Sequence, residues 1–190
     1  MRSIPKLWRV PLGLLALCSL MALGEEAARE ALSYAREPLA RGELWRTVTA
    51  HVTHLGWPHL ALNAVGLLGI WWSYARVLTP LRAVALCLSS ALTISAGLYV
   101  FHPEVASYVG LSGVLHGVLV AAAILSVQTA RPKWIEWVVI GGVWAKVAYE
   151  MFIGPIPLTQ ALSGGAVITA SHFYGTLAGT LVGGLLTLRR

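Results

Sequence analysis

Six stretches of about 20 residues run along this chain with few interior charges, roughly residues 7–24, 57–78, 81–101, 111–129, 134–153 and 169–188. A helix needs ~20 apolar residues to cross a bilayer, and in hydrocarbon every backbone N–H and C=O must find its partner within the segment. The blocks do not alternate polar and apolar residues with period two, which excludes a membrane β-barrel. With 57% hydrophobic and only 12% charged residues among 190, the chain is too apolar for a soluble domain. The pattern predicts an all-α membrane protein, a six-transmembrane-helix bundle that forms a single domain over residues 1–190. Residues 25–56 are its one long loop, and there is no low-complexity segment or clear internal repeat.

Basic residues set the expected orientation. Arg2, Lys6 and Arg9 open the first block, Arg76 and Arg82 flank the second-to-third turn, Arg131 and Lys133 the fourth-to-fifth, and Arg189 and Arg190 the end. The other side carries Glu25, Glu26, Glu30, Glu37 and Glu43 mixed with some arginines, then Glu104, and no charge in 154–168. The positive-inside rule puts both termini in the cytoplasm. Anionic lipid accounts for the net charge of +6, with no case for nucleic acid. The first block, with a basic start and small residues near Ala22-Leu23-Gly24, has the look of a secretory signal, but both termini share one side only if it is retained. Cys18 and Cys87 lie inside blocks as small hydrophobes, without metal-ligand spacing or a disulfide framework. In the 25–56 loop, Leu32, Leu39, Leu44 and Trp45 alternate with charges, as in short amphipathic helices at the outer interface. Trp45-Arg46 is expected to place a ring at headgroup level and a cation beside lipid phosphate or helix carbonyls.

Chemistry gathers at the outer mouths of three blocks. Ser112 falls in the first turn of the fourth, where unpaired N–H groups and the helix dipole favour a developing oxyanion. Gly110 and Gly113 clear space beside it. His172 opens the sixth block at a similar depth. Gly113-x-x-x-Gly117 and Gly175-x-x-x-Gly179 are small faces on which two helices dock closely, which would bring the hydroxyl and imidazole within reach. In the second block His59 and Asn63, four apart, share a face and suit an oxyanion hole with the Ser112 N–H. Each piece taken alone also fits plain helix packing.

Taken together and in order, Trp45-Arg46, His54, His59-Leu60-x-x-Asn63, Gly110-x-Ser112-Gly113 and His172-x-x-Gly175-x-x-x-Gly179 resemble the rhomboid intramembrane serine proteases over nearly the whole chain. The resemblance implies a rhomboid-like bundle in a bacterial inner membrane, its active site facing the periplasm, acting on transmembrane protein substrates without a cofactor. It implies a Ser–His dyad with no carboxylate: Ser112 as nucleophile, His172 as base, and His59, Asn63 and the Ser112 N–H at the oxyanion. Ser171 stands where the family usually has Ala. The length of the chain and the run Gly110–Gly117 look more like the rhombosortase branch, which implies exported substrates with a C-terminal tail of Gly-rich motif, transmembrane helix and basic end. The alternative is a catalytically inactive rhomboid-like scaffold that binds helices. A small transporter fits less well, since no discontinuous-helix pair or inverted repeat is visible.

Other polar residues are open to more than one reading. His116, one turn below Ser112, bonds the nucleophile, holds a water or locks a neighbouring helix. His51, His54 and His59 lack a glutamate among them and Pro58 interrupts the helix, which argues against a metal site. Lys146 and Glu150, four apart in the fifth block, form either a salt bridge facing the bundle or, through Glu150, part of a substrate gate between the second and fifth helices.

Overall fold

The computed structural model describes residues 6–129 and 133–188, so Arg2, Arg131, Arg189 and Arg190, used above for orientation, lie outside the described residues. Ten α-helices follow one another among the described residues: α1 (Arg9–Leu23), α2 (Glu25–Leu32), α3 (Arg36–Ala40), α4 (Arg46–Thr49), α5 (Trp57–Tyr74), α6 (Pro80–Phe101), α7 (Ser112–Val127), α8 (Trp134–Phe152), α9 (Pro157–Ser163) and α10 (Thr169–Leu188). The six long ones, α1, α5, α6, α7, α8 and α10, lie over the six apolar blocks. Proline starts α6 and α9 and is the second residue of α5, positions where its missing N–H costs nothing. Gly164, at φ +71°, ends α9 in the left-handed conformation that a side chain disfavours.

Among the described residues, two helical runs are each long and apolar enough to cross a membrane, Lys6–Leu23 and α6. The pair α8 and α9 meets the same standard together, bent by 80° between them. In α5 and α10, polar residues such as His59, Asn63 and His172 lower the mean hydropathy. The 16-residue α7 is apolar but spans only about 24 Å at 1.5 Å per residue, less than the ~30 Å of a bilayer core.

That short helix is the centre of the fold. It touches α5, α6, α8 and α10, and its buried face runs Gly113, Gly117, Val120, Ala121 and Leu125. Its tightest neighbour is α10. A Cβ on Gly175 would fall on the Gly113 carbonyl, and one on Gly179 on the Gly117 carbonyl. A Cβ on Gly183 would sit 2.9 Å from Ala121 Cα. Backbone lies on backbone here, so dispersion contacts are dense without a large side chain.

The 25–56 segment is a folded cap rather than separate helices lying on a surface. Its strand β1 (Tyr34–Ala35) pairs antiparallel with β2 (Ser107–Tyr108), in register Tyr34↔Tyr108 and Ala35↔Ser107. The sequence places Arg46 beside lipid phosphate or helix carbonyls, and the carbonyls have it. It is buried, and its guanidinium donates to Glu30 O at 2.8 Å, Ser33 O at 2.9 Å and the Glu43 carboxylate at 2.8 Å. Trp45 stays exposed and donates its indole N–H to Ala31 O at 3.2 Å. Arg36 caps the C-terminal end of α6 through Leu98 O, Tyr99 O and His102 O, where a cation meets the negative end of the helix.

Candidate active site

A cleft of about 1110 Å³ opens between α5 and α8, floored by α7. Along it lie Leu62, Gly66 and Gly69 on one wall, Val139, Gly142 and Val143 on the other, and Leu115 and Leu119 below. Near its end away from the cap, Tyr74 OH on α5 donates to Glu136 Oε2 on α8 at 2.9 Å. At the cap end the walls turn polar, with His59, Asn63, Ser112, His116, Lys146 and His172.

Ser112 is the first residue of α7, so the N–H groups of its first turn have no helical acceptor behind them. The loop before it is fixed from three sides. Gly110 N donates to Ala50 O at 2.9 Å, Tyr108 OH donates to Gly110 O at 2.7 Å, and β2 holds Ser107 and Tyr108. Gly110 has φ +127°, and a Cβ there would lie 2.7 Å from His59 Cε1. Glycine is thus needed twice over at this position, for backbone angle and for room.

The glycine seam sets the height of His172 against Ser112. Ser112 Oγ lies 3.0 Å from His172 Nε2. Ser171, the departure from the family pattern, is buried, and its carbonyl would be 2.8 Å from a Cβ on Gly113, so the chain passes too closely for a bulky neighbour. His59 and Asn63 are both buried and line the cleft with Ser112. Asn63 Nδ2 donates to His59 O at 2.9 Å within the helix, which leaves its second amide hydrogen for another acceptor. His59 Nδ1 is buried without a partner among the described residues.

His51 and His54 stand behind this polar end, between α4 and α5. His51 Nε2 is 3.2 Å from Ser95 Oγ, and the ring of His54 meets that of His59 edge-on at 5.0 Å. Burial pushes His51 down to about 4 and His54 down to about 3, so both are neutral at pH 7.

Of the two readings of Glu150, the salt bridge with Lys146 facing the bundle is the one its contacts match, and Glu150 does not line the cleft. It is 2% exposed, and its Oε2 lies 2.7 Å from His172 Nδ1 and 2.7 Å from Lys146 Nζ. The dyad implied by resemblance therefore has a carboxylate behind it. Lys146 Nζ also reaches His116 Nε2 at 2.8 Å and His172 Nδ1 at 3.1 Å. His116 Nδ1 lies 2.7 Å from Ser112 O, and its ring stacks on His172 at 4.3 Å. The sequence spacing gives the Lys146–Glu150 pair. It does not tell which face of α8 meets α10, and that face decides the contact with His172.

An arrangement of hydroxyl, imidazole and carboxylate at the positive end of a helix is equipped for nucleophilic acyl transfer. Comparison with known proteins agrees in family. Residues 41–189 match the model of the Rhomboid domain. A 95-residue stretch, 50% of this chain, is 33% identical to the Rhomboid protease GluP of Bacillus subtilis (strain 168) and covers 18% of that relative's length. With its long apolar helices and a domain match over most of its length, this is a membrane protein, and the chain belongs to the rhomboid family.

Proposed function

We propose that this chain is an intramembrane serine protease that cuts a peptide bond in or next to a transmembrane segment, with Ser112 as nucleophile and His172 as base. The observation that carries the reading is the 3.0 Å approach of Ser112 Oγ to His172 Nε2 at the polar end of an otherwise apolar cleft. Ser112 Oγ attacks the substrate carbonyl carbon and its proton passes to His172 Nε2. The oxyanion is met by the Ser112 N–H, the free Asn63 amide hydrogen and His59, donors each worth about 2.7–4 kcal/mol in comparable sites. His172 then protonates the leaving amine, and water hydrolyses the acyl-enzyme by the reverse path.

The finer reading has six crossings, α1, α5, α6, α7, α8 and α10, with both termini in the cytoplasm and the polar end of the cleft toward the periplasm of a bacterial inner membrane. Lys6, Arg9, Arg76, Arg82 and Lys133 support this by falling at the end away from the cap. The substrate helix enters between α5 and α8, where Gly66, Gly69 and Gly142 leave the walls low. A Gly-rich stretch suits Ser112 because each glycine weakens a helix by about 1 kcal/mol relative to Ala and exposes its carbonyls. The Gly110–Gly117 run supports the rhombosortase branch, and with it exported substrates carrying a Gly-rich, transmembrane and basic C-terminal tail.

Ser112→Ala and His172→Ala should each cut turnover by at least about 10³-fold while the purified protein stays monodisperse. A fluorophosphonate probe should label the parent and leave Ser112→Ala unlabelled. A folded parent that takes no label overturns the protease reading in favour of a helix-binding scaffold. Co-expression with tail-bearing exported proteins, followed by sequencing of new C-termini, tests the substrate class.

A further inference from the structure

We propose that Glu150 completes a Ser112–His172–Glu150 triad, acting as a positioning residue that selects the tautomer of the base and supports its charged form. Lys146 and His116 hold the carboxylate and the serine turn in place. The inference rests on the reading of Ser112 and His172 given above.

One assignment of protons satisfies all the close contacts but one. Ser112 Oγ–H points at His172 Nε2 across 3.0 Å, so Nε2 must be the bare nitrogen and Nδ1 must carry the hydrogen. That hydrogen is directed to Glu150 Oε2 at 2.7 Å. Lys146 Nζ donates to the same oxygen at 2.7 Å and to His116 Nε2 at 2.8 Å. His116 Nε2 is then the acceptor, and its Nδ1–H donates to Ser112 O at 2.7 Å. The remaining contact, Lys146 Nζ to His172 Nδ1 at 3.1 Å, sets two hydrogen-bearing nitrogens side by side. It is longer than either group's bond to the carboxylate, which sits between them and draws both. Turning the tautomer round would give Lys146 an acceptor at Nδ1. It would also remove a donor from the buried Glu150 and present an N–H to the serine, where a lone pair is required.

The charges balance in the same way. Lys146 and Glu150 are a neutral pair in the resting site, which is how a bilayer tolerates them. When Ser112 attacks, its proton arrives on Nε2 and the imidazolium appears 2.7 Å from a carboxylate already oriented toward it. Glu150 remains ionised throughout, and the proton returns from Nε2 to the leaving amine. In soluble serine hydrolases, converting the corresponding carboxylate to an amide costs about 10⁴-fold in kcat.

The test uses full-length protein in detergent, with fluorophosphonate labelling rates resolved into the maximal rate and the concentration for half-maximal rate. The double variant Lys146→Met/Glu150→Leu removes both charges together, a replacement that buried ion pairs commonly survive folded. It should unfold at a temperature near that of the parent and keep the half-maximal probe concentration, while its maximal labelling rate drops at least about 100-fold. Glu150→Gln keeps the shape, loses the charge and can present an N–H to His172 Nδ1, which favours the wrong tautomer, and should slow labelling at least about 100-fold. A folded double variant labelled at the parental rate overturns the inference. If the double variant does not fold, Glu150→Gln decides, and a rate within about twofold of the parent overturns the inference. Ser112→Ala runs beside both: its labelling would sink the underlying assignment of the nucleophile, a failure distinct from that of Glu150.

Discussion

Gly175 and Gly184 lie nine residues apart on one helix and differ in what a methyl group would meet. At Gly175 it would land on the Gly113 carbonyl, and at Gly184 nothing lies within 4 Å. Gly175→Ala is therefore expected to lower stability by about 1–3 kcal/mol through overpacking and to slow fluorophosphonate labelling as α10 shifts His172 away from Ser112. Gly184→Ala should be neutral or mildly stabilising, because alanine is the better helix former. Thermal unfolding in detergent with probe labelling checks both. Gly175, with Gly113, Gly117 and Gly179, was readable from spacing alone, because small residues four apart let two backbones touch, and Ser112 and His172 sit at the ends of the two stripes. Glu150 was readable as the partner of Lys146, four residues away on its own helix. Its contact with His172 joins positions 22 apart in sequence, and no periodicity carries that information.

Between helices, the division of labour is plain. The pair α7 and α10 is a rigid seam, whereas α5 and α8 diverge and enclose the cleft, bridged near its far end by Tyr74 and Glu136. A bulky side chain on an open glycine of that cleft should compete with an incoming helix and spare a small molecule. Gly142→Phe, at a position with nothing within 4 Å, is expected to reduce cleavage of a transmembrane substrate at least about tenfold and to leave fluorophosphonate labelling unchanged. Parental cleavage by a folded Gly142→Phe variant would mean that the cleft is not the way in. The long helices could be placed from apolar blocks because α-helix length and bilayer thickness are tied. The short elements could not. Apart from Arg46, the cap is held by Arg36 reaching carbonyls of α6 and by strands paired across more than seventy residues, contacts with no local signature. The helix α9, which turns 80° away from α8, was hidden in a stretch without charge.

Stability of the assembled protein should depend on pH through groups far from the cleft floor. His51 and His54 are buried beneath the cap, with burial driving them down to about 4 and about 3. In the unfolded chain they titrate near the ordinary value of about 6.5. Between those limits the unfolded state binds more protons, so stability is full above pH 6.5 and is lost as the solution is acidified toward about 4. The unfolding temperature in detergent is expected to be flat from pH 7 to 8 and to fall between pH 6.5 and 4, with a shallower fall in His54→Leu. An unchanged slope in that variant would remove His54 from the account.

The two-rung ladder between residues 34–35 and 107–108 joins a surface feature to the turn that carries Ser112. A water-soluble binder that grips residues 25–56 would pull on that turn through two residues of backbone. Under the function proposed above, such a binder would inhibit without ever having to dissolve in lipid.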